Sequence, residues 1–249
     1  MLYVYIAIMV VALIGMIVCS KKQSTVPAAK VVSFVLMAVV AGCLVMVLKD
    51  QLGGGSTSGL RANENKFYVS QAFVVGDYVK GKLGGGKILI VADPSYKQDT
   101  RMNDFVAAMK KGLGGEVAVD TIELPPANEE MAEPISERMT AKDFEATIAR
   151  NSDAKVIVSL IGLPRDIGKN PKLLMDCKAG KVAIILLSSD VPSLAKMIGA
   201  GMVTAAVTVS PKAKFDETPA PSDEKAAFAV RYILVDKSSI AENKGLFGE

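Results

Sequence analysis

Two uncharged apolar runs, close together at the start of the chain, limit its fold more than any other feature. Leu2 to Cys19 is 18 residues long with only Gly15 outside the hydrophobic set, and Val31 to Leu48 is a second uncharged run of 18. At ~1.5 Å rise per residue each covers about 27 Å, close to the ~30 Å hydrocarbon core of a bilayer. The linker SKKQSTVPAAK between them has 11 residues. The expectation for residues 1–50 is therefore a two-span transmembrane hairpin in a lipid bilayer. Ala38 and Gly42 form a small-x3-small pair at which helices can approach. The linker carries three Lys, whereas the flank after the second run has only Lys49, beside Asp50, before Arg61. Positive loops stay cytoplasmic, so the linker is expected inside and the rest of the chain extracytoplasmic, periplasmic in a Gram-negative cell. A cleaved signal would need a basic segment ahead of the first run. Lipidation at Cys19 would favour a small residue where Val18 stands.

The rest of the chain has a different character. Of the first 50 residues, 37 are hydrophobic, against 50% for all 249. The net charge of +3 is accounted for by Lys21, Lys22, Lys30 and Lys49 against Asp50, leaving 25 basic and 25 acidic residues beyond. A neutral balance argues against nucleic acid, which requires a basic face. There is no His, so His-metal sites and Ser-His or Cys-His pairs are excluded. Cys19, Cys43 and Cys177 give no CxxC pair and no disulfide framework.

Residues 51–86 read as a Gly/Ser tether, QLGGGSTSGL, followed by a juxtamembrane amphipathic helix. Tyr68, Ala72, Val75, Val79 and Leu83 fall on one helical face, and Gly84 to Gly86 stop it. Packing on the chain's own domain, on the bilayer or on a partner would each use that face.

From Lys87 to the end, strand-like runs alternate with helical stretches: KILIVA, EVAVDTIEL, AKVIVSLIGL, KVAIILLS, TAAVTV and finally RYILVD. Runs apolar along their whole length belong to parallel strands covered on both faces. Residues 87–249 are thus expected to form one α/β domain, a doubly wound, mostly parallel sheet of five to six strands, with RYILVD at an edge. Two acidic, Pro-containing segments, Glu123 to Glu137 and Phe215 to Lys225, interrupt the pattern as long loops.

In such sheets ligands bind at the carboxyl ends of the strands. The candidates there are Asp93, Ser95 and Tyr96 after the first strand, Gly162 after the third, and Ser188, Ser189 and Asp190 after the fourth. Each can hydrogen-bond a polar solute, and each is also an ordinary turn or cap residue. A nucleotide loop is excluded because Gly84-Gly85-Gly86-Lys87 precedes a strand instead of following one. Neither Ser188 nor Ser189 has a His base or a GxSxG elbow. Asp93 with Asp190 is too little for a metal. No catalytic residue, metal or cofactor is expected, and Cys177 is expected to be inert.

The order KILIVADPSY, FVAAMKKGLGGEVAVDTIEL, FEATIARNSDAKVIVSLIGLP, KVAIILLSSD, MIGAGMVTAAVTV resembles one lobe of the type 1 periplasmic sugar-binding proteins, over about Lys87 to Val209. That family closes two lobes around a solute. The resemblance implies a single lobe here, whose cleft a partner chain or a second copy would complete. KILIVAD, GLP and SSD are also similar to the response-regulator receiver, but Leu160 stands at the phosphoacceptor position. The expected function is a membrane-anchored, non-enzymatic protein that displays one extracytoplasmic domain to a protein partner or serves as an accessory subunit. The alternative is a module that binds or senses a small solute through the strand-end residues.

Overall fold

The computed structural model describes residues 2–22, 28–52, 55–122, 124, 135–169, 171–187, 194–243 and 246. The chain divides into two units, Met1–Asn63 and Glu64–Glu249.

In the first unit both apolar runs are helical, α1 (Leu2–Lys22) and α2 (Ala28–Leu52). The less exposed positions of α1 are Tyr5, Met9, Ala12, Met16 and Cys19, with Gly15 beside Met16, and those of α2 are Ala29, Ser33, Leu36, Val40, Cys43 and Val47. These spacings alternate between four and three, the 3.5-residue period of a coiled-coil seam. Ala12 and Ala29 are buried in it. A Cβ on Gly15 would lie 3.0 Å from Leu36 Cδ1. The helices therefore approach at Ala12 and Gly15. Ala38 and Gly42 are not at this approach: Ala38 is exposed and Gly42 has nothing within 4 Å of an added Cβ.

Among the described residues no helix is long and apolar enough to cross a membrane. The two expected spans are thus not found as spans; what is found is the helical hairpin.

In α3 (Gly55–Lys82), Gly55 to Leu60 continue the helix instead of forming the expected tether. Its later turns supply the reason, since a packed helix extends at little cost once nucleated. Phe67, Ala72, Val75 and Val79 are buried. Gly84, Gly85 and Gly86 end the helix at φ +76°, +77° and +113°, with the Leu83 and Gly85 amides donating to the Val79 carbonyl.

The remaining elements are β1 (Ile88–Ala92), α4 (Arg101–Leu113), β2 (Val117–Thr121), α5 (Ile135–Arg138), α6 (Ala141–Arg150), β3 (Val156–Ser159), α7 (Pro171–Lys178), β4 (Ala183–Leu187), α8 (Leu194–Gly199), β5 (Ala205–Val209), α9 (Glu224–Arg231) and β6 (Tyr232–Asp236). The sheet order is β2-β1-β3-β4-β5-β6, parallel throughout except for β6, which runs antiparallel to β5 at the edge. Alternate residues go to opposite faces. Leu89, Val91, Ile157, Ile184, Leu186, Ala206 and Val235 pack under α6, α7 and α8. Ile88, Ile90, Val156, Val158, Ile185, Ala205 and Val207 pack under α3, α4 and Phe228 of α9. This is the doubly wound arrangement expected, and the face of α3 read from the sequence lies in the second core.

Local caps fix where helices begin. Thr140 and Asp143 form a capping box at α6: the Asp143 amide donates to Thr140 Oγ1 and the Thr140 amide to Asp143 Oδ2. Thr140→Ala is expected to lower stability by about 1 kcal/mol, read as a shift of the urea midpoint with an unchanged slope. Most of the acidic stretch Glu123–Glu137 lies outside the described residues. The Phe215–Lys225 segment ends in α9, which begins at Glu224 behind the N-cap Asp223.

Candidate functional site

The carboxyl rim of the sheet is where strand order reverses: β1 lies between β2 and β3, so the connections leaving β1 and β3 diverge to opposite faces. Crevices at such points take ligands. Val91 pairs with Ser159, and the Leu160 amide continues the ladder by donating to the Val91 carbonyl at 2.9 Å. The structure thus brings the Asp93–Tyr96 and Gly162 turns to neighbouring strand ends.

Asp93 caps a 3₁₀ turn, Pro94–Gln98. Its Oδ1 accepts from the Ser95 amide at 2.8 Å and its carbonyl from the Tyr96 amide at 2.9 Å. One carboxylate oxygen is spent on the turn, and Oδ2 has no partner among the described residues. Tyr96 is half-buried, its ring packed against the second core. Neither its hydroxyl nor that of exposed Ser95 meets a hydrogen-bonding partner among the described residues. After β3 the chain turns at Gly162 with φ +79°, a conformation open to glycine at no steric cost. The buried Ser159 hydroxyl holds that turn by donating to the Gly162 carbonyl at 2.6 Å. Gly162 thus shapes the turn, whereas Asp93, Ser95 and Tyr96 carry polar atoms without a partner among the described residues. Ser188, Ser189 and Asp190 lie outside the described residues.

Among the described residues no group of three or more His, Cys, Asp or Glu gathers as a metal site. Burial, helped by neighbouring Asp176, pushes the Cys177 thiol up to about 11, so thiolate is scarce at neutral pH.

A cavity of about 500 Å³ opens at the opposite rim, where the sequence suggested nothing. The residues just before β3, β4 and β5 line it (Lys155, Lys181 and Thr204), with Asp236 and Lys237 at the end of antiparallel β6 and Lys82 at the end of α3. Asp236 is a fixed anion there. Burial works against its charge, but hydrogen bonds from Ser238, Ser239 and Tyr78 outweigh it and hold the carboxyl below its ordinary value. Burial first, then the Asp236 charge, raises the Tyr78 phenol well above its usual range.

No protein-family profile matches the chain, and no curated relative does. The solved structures similar to it include a carbohydrate transporter from Acidothermus cellulolyticus in complex with myo-inositol, at 12% identity and a TM-score of 0.44, covering 72% of this chain and 60% of that one. Others are the sugar-binding protein of a sugar ABC transporter from Bacillus halodurans (12%, TM-score 0.43, 70% and 64%) and a periplasmic ribose ABC transporter protein from Conexibacter woesei (12%, 0.43, 72% and 60%). They belong to the group that Lys87–Val209 resembles in its order of elements. The chain spans less than two thirds of the length of each. With TM-scores below 0.5, these likenesses say nothing of what it binds.

Proposed function

We propose that the α/β domain is a non-enzymatic module that binds a small polar solute at the carboxyl rim between β1 and β3. The observation that carries this reading is the reversal of strand order at β1, with the Asp93–Tyr96 and Gly162 turns at neighbouring strand ends and the Asp93 Oδ2 and Tyr96 hydroxyl without a partner among the described residues. These are binding groups with no base or nucleophile among them. A single lobe presents half a cleft, so a partner protein or a second copy supplies the opposing wall; partner contact and solute binding are then one arrangement. The α1–α2 hairpin serves as the anchor, and the domain is extracytoplasmic. Although no helix is a span among the described residues, sixteen large apolar side chains stand exposed on the hairpin, among them Val11, Ile14, Ile17, Val31, Phe34 and Val45. Helices apolar on every side require an apolar surrounding, which acyl chains provide.

The test is a thermal-shift screen of the full chain against sugars, nucleosides and amino acids. A ligand at ~100 times its Kd adds about 2.7 kcal/mol, a rise of roughly 5–10 °C for a domain of this size. Asp93→Ala and Tyr96→Ala are each expected to abolish the rise while leaving the unliganded melt within about 1 kcal/mol of wild type. If no class of solute stabilises the chain, and it co-purifies with a stoichiometric protein partner, the solute reading fails and the accessory-subunit reading replaces it.

A further inference from the structure

We propose that the cavity at the amino rim of the sheet is a second site, which takes a phosphate-bearing small anion independently of the carboxyl rim. Five lysines line it: Lys82, Lys155, Lys178, Lys181 and Lys237. Among the described residues Asp236 is the carboxylate that lines the cavity, and it is engaged by Tyr78, Ser238 and Ser239. Lys181 pairs with Asp176 at 3.2 Å. The ammonium groups of Lys82, Lys155, Lys178 and Lys237 form no ion pair among the described residues, although cations elsewhere on this domain do, as in Lys87–Asp153, Lys111–Glu224, Arg150–Asp120 and Lys225–Asp77.

A domain of balanced charge has thus gathered, around one concavity, cations that are uncompensated among the described residues. Helix ends account for part of this, because Lys82 and Lys178 lie in the last turns of α3 and α7, where cations are favoured. They do not account for Lys155 and Lys237, which flank strands. Between low-dielectric walls such a cluster focuses positive potential. The floor carries Val156, Ala183, Ile198 and Val203, with Thr204 as a hydroxyl donor. A volume of about 500 Å³ suits a small organic ligand. A lysine rim over an apolar floor fits a compact phosphorylated molecule, each ammonium contributing a charge-assisted hydrogen bond.

Inorganic pyrophosphate is the probe, titrated calorimetrically into the full chain at low salt. Saturable one-to-one binding is expected, at least about tenfold weaker in the Lys155→Gln/Lys178→Gln/Lys237→Gln variant, and unchanged by Asp93→Ala. The triple variant should melt within a few degrees of wild type, because relief of the mutual repulsion offsets the helix-end interaction that Lys178 gives up. A matched variant carrying Lys97→Gln/Lys110→Gln/Lys142→Gln, at exposed lysines elsewhere, should bind as wild type does. The proposal is overturned if no saturable binding occurs, if both triple variants weaken it equally, or if phosphatidylglycerol vesicles bind through these lysines without competition from pyrophosphate. The last result would assign the cluster to a lipid surface. Loss of binding in Asp93→Ala would also overturn it, by merging the two sites.

Discussion

Gly112→Ala is expected to destabilise the α/β domain by about 3 kcal/mol or more, lowering its melting temperature on the order of 10 °C. Helix propensity alone predicts the opposite sign, because alanine in a helix interior is favoured over glycine by ~1 kcal/mol. The difference arises where α3 crosses α4. A Cβ on Gly112 would meet the Asp77 amide nitrogen at 2.9 Å and lie closer still to the Phe73 carbonyl oxygen; one on Gly76 would meet the Leu113 amide nitrogen at 2.8 Å and the Met109 carbonyl more closely. The obstacles are backbone atoms of a packed helix, which cannot swing away as a side-chain end can. Relief requires the helices to separate, and that opens the contacts of Ala72, Val75, Phe105 and Met109 in the second core. Gly76→Ala should act similarly. Gly81→Ala, in the same helix as Gly76 but with nothing within 4 Å of the added carbon, should stabilise by about 0.5–1 kcal/mol. Chemical denaturation of the three variants decides the matter by sign. If Gly112→Ala and Gly81→Ala move the midpoint in the same direction, the close crossing is not a property of the folded protein.

These two glycines show what a sequence conceals. The face of α3 was legible because Ala72, Val75 and Val79 repeat with helical period, and β1, β3 and β4 because Ile, Val and Leu follow one another. Gly76 and Gly112 carried no signal, since a close crossing is a relation between two helices distant in sequence. α9 was hidden for a different reason: the Pro-rich segment FDETPAPSDEK reads as a loop, and the Asp223 cap and the start of α9 lie inside it. Most of the carboxyl rim could be anticipated from topology alone, because parallel strands place all their exits at one end. The lysine cavity could not. Lys155 and Lys181 precede parallel strands while Lys237 follows β6, so they share a rim only once β6 is known to run antiparallel. Ala38 and Gly42 matched a motif for helix approach, yet the hairpin seam put Ala12 and Gly15 there instead, because a motif gives spacing without direction.

Arg231→Ala is expected to cost about 3–5 kcal/mol, the second large effect, although its ion-pair partner is mostly in water. Arg231 ends α9 with only 2% of its side chain exposed, whereas Glu64 is 56% exposed. The guanidinium donates through both terminal nitrogens to the two Glu64 oxygens, and through Nε to the Lys214 carbonyl at 3.1 Å. Its carbon lies 3.6 Å from the centre of the Phe67 ring and 5.1 Å from that of Phe215. One side chain thus joins the start of the second unit, the loop after β5 and the end of α9. Truncation removes the cation–π contacts and leaves a cavity beside Phe67 and Ala227. Removing the charge of the other partner is a milder change: Glu64→Gln keeps an amide oxygen that can accept from the guanidinium, and Arg231 keeps the Lys214 carbonyl and the two rings, so about 2 kcal/mol is expected. The hydrogen bond from Arg231 is the main cause that holds the Glu64 carboxyl below its ordinary value, against a smaller opposing effect of burial. A depressed carboxylate contributes stability above its unfolded pKa and loses it as pH falls through the folded one. The gap between wild type and Glu64→Gln should therefore be full at neutral pH and close in acid below the ordinary Glu range, while the Arg231→Ala deficit persists there because packing does not titrate. Urea titrations of both variants across that window test the assignment. An Arg231→Ala deficit that closed in acid together with that of Glu64→Gln would mean that the ion pair alone, and not the buried stack on Phe67, accounts for the effect.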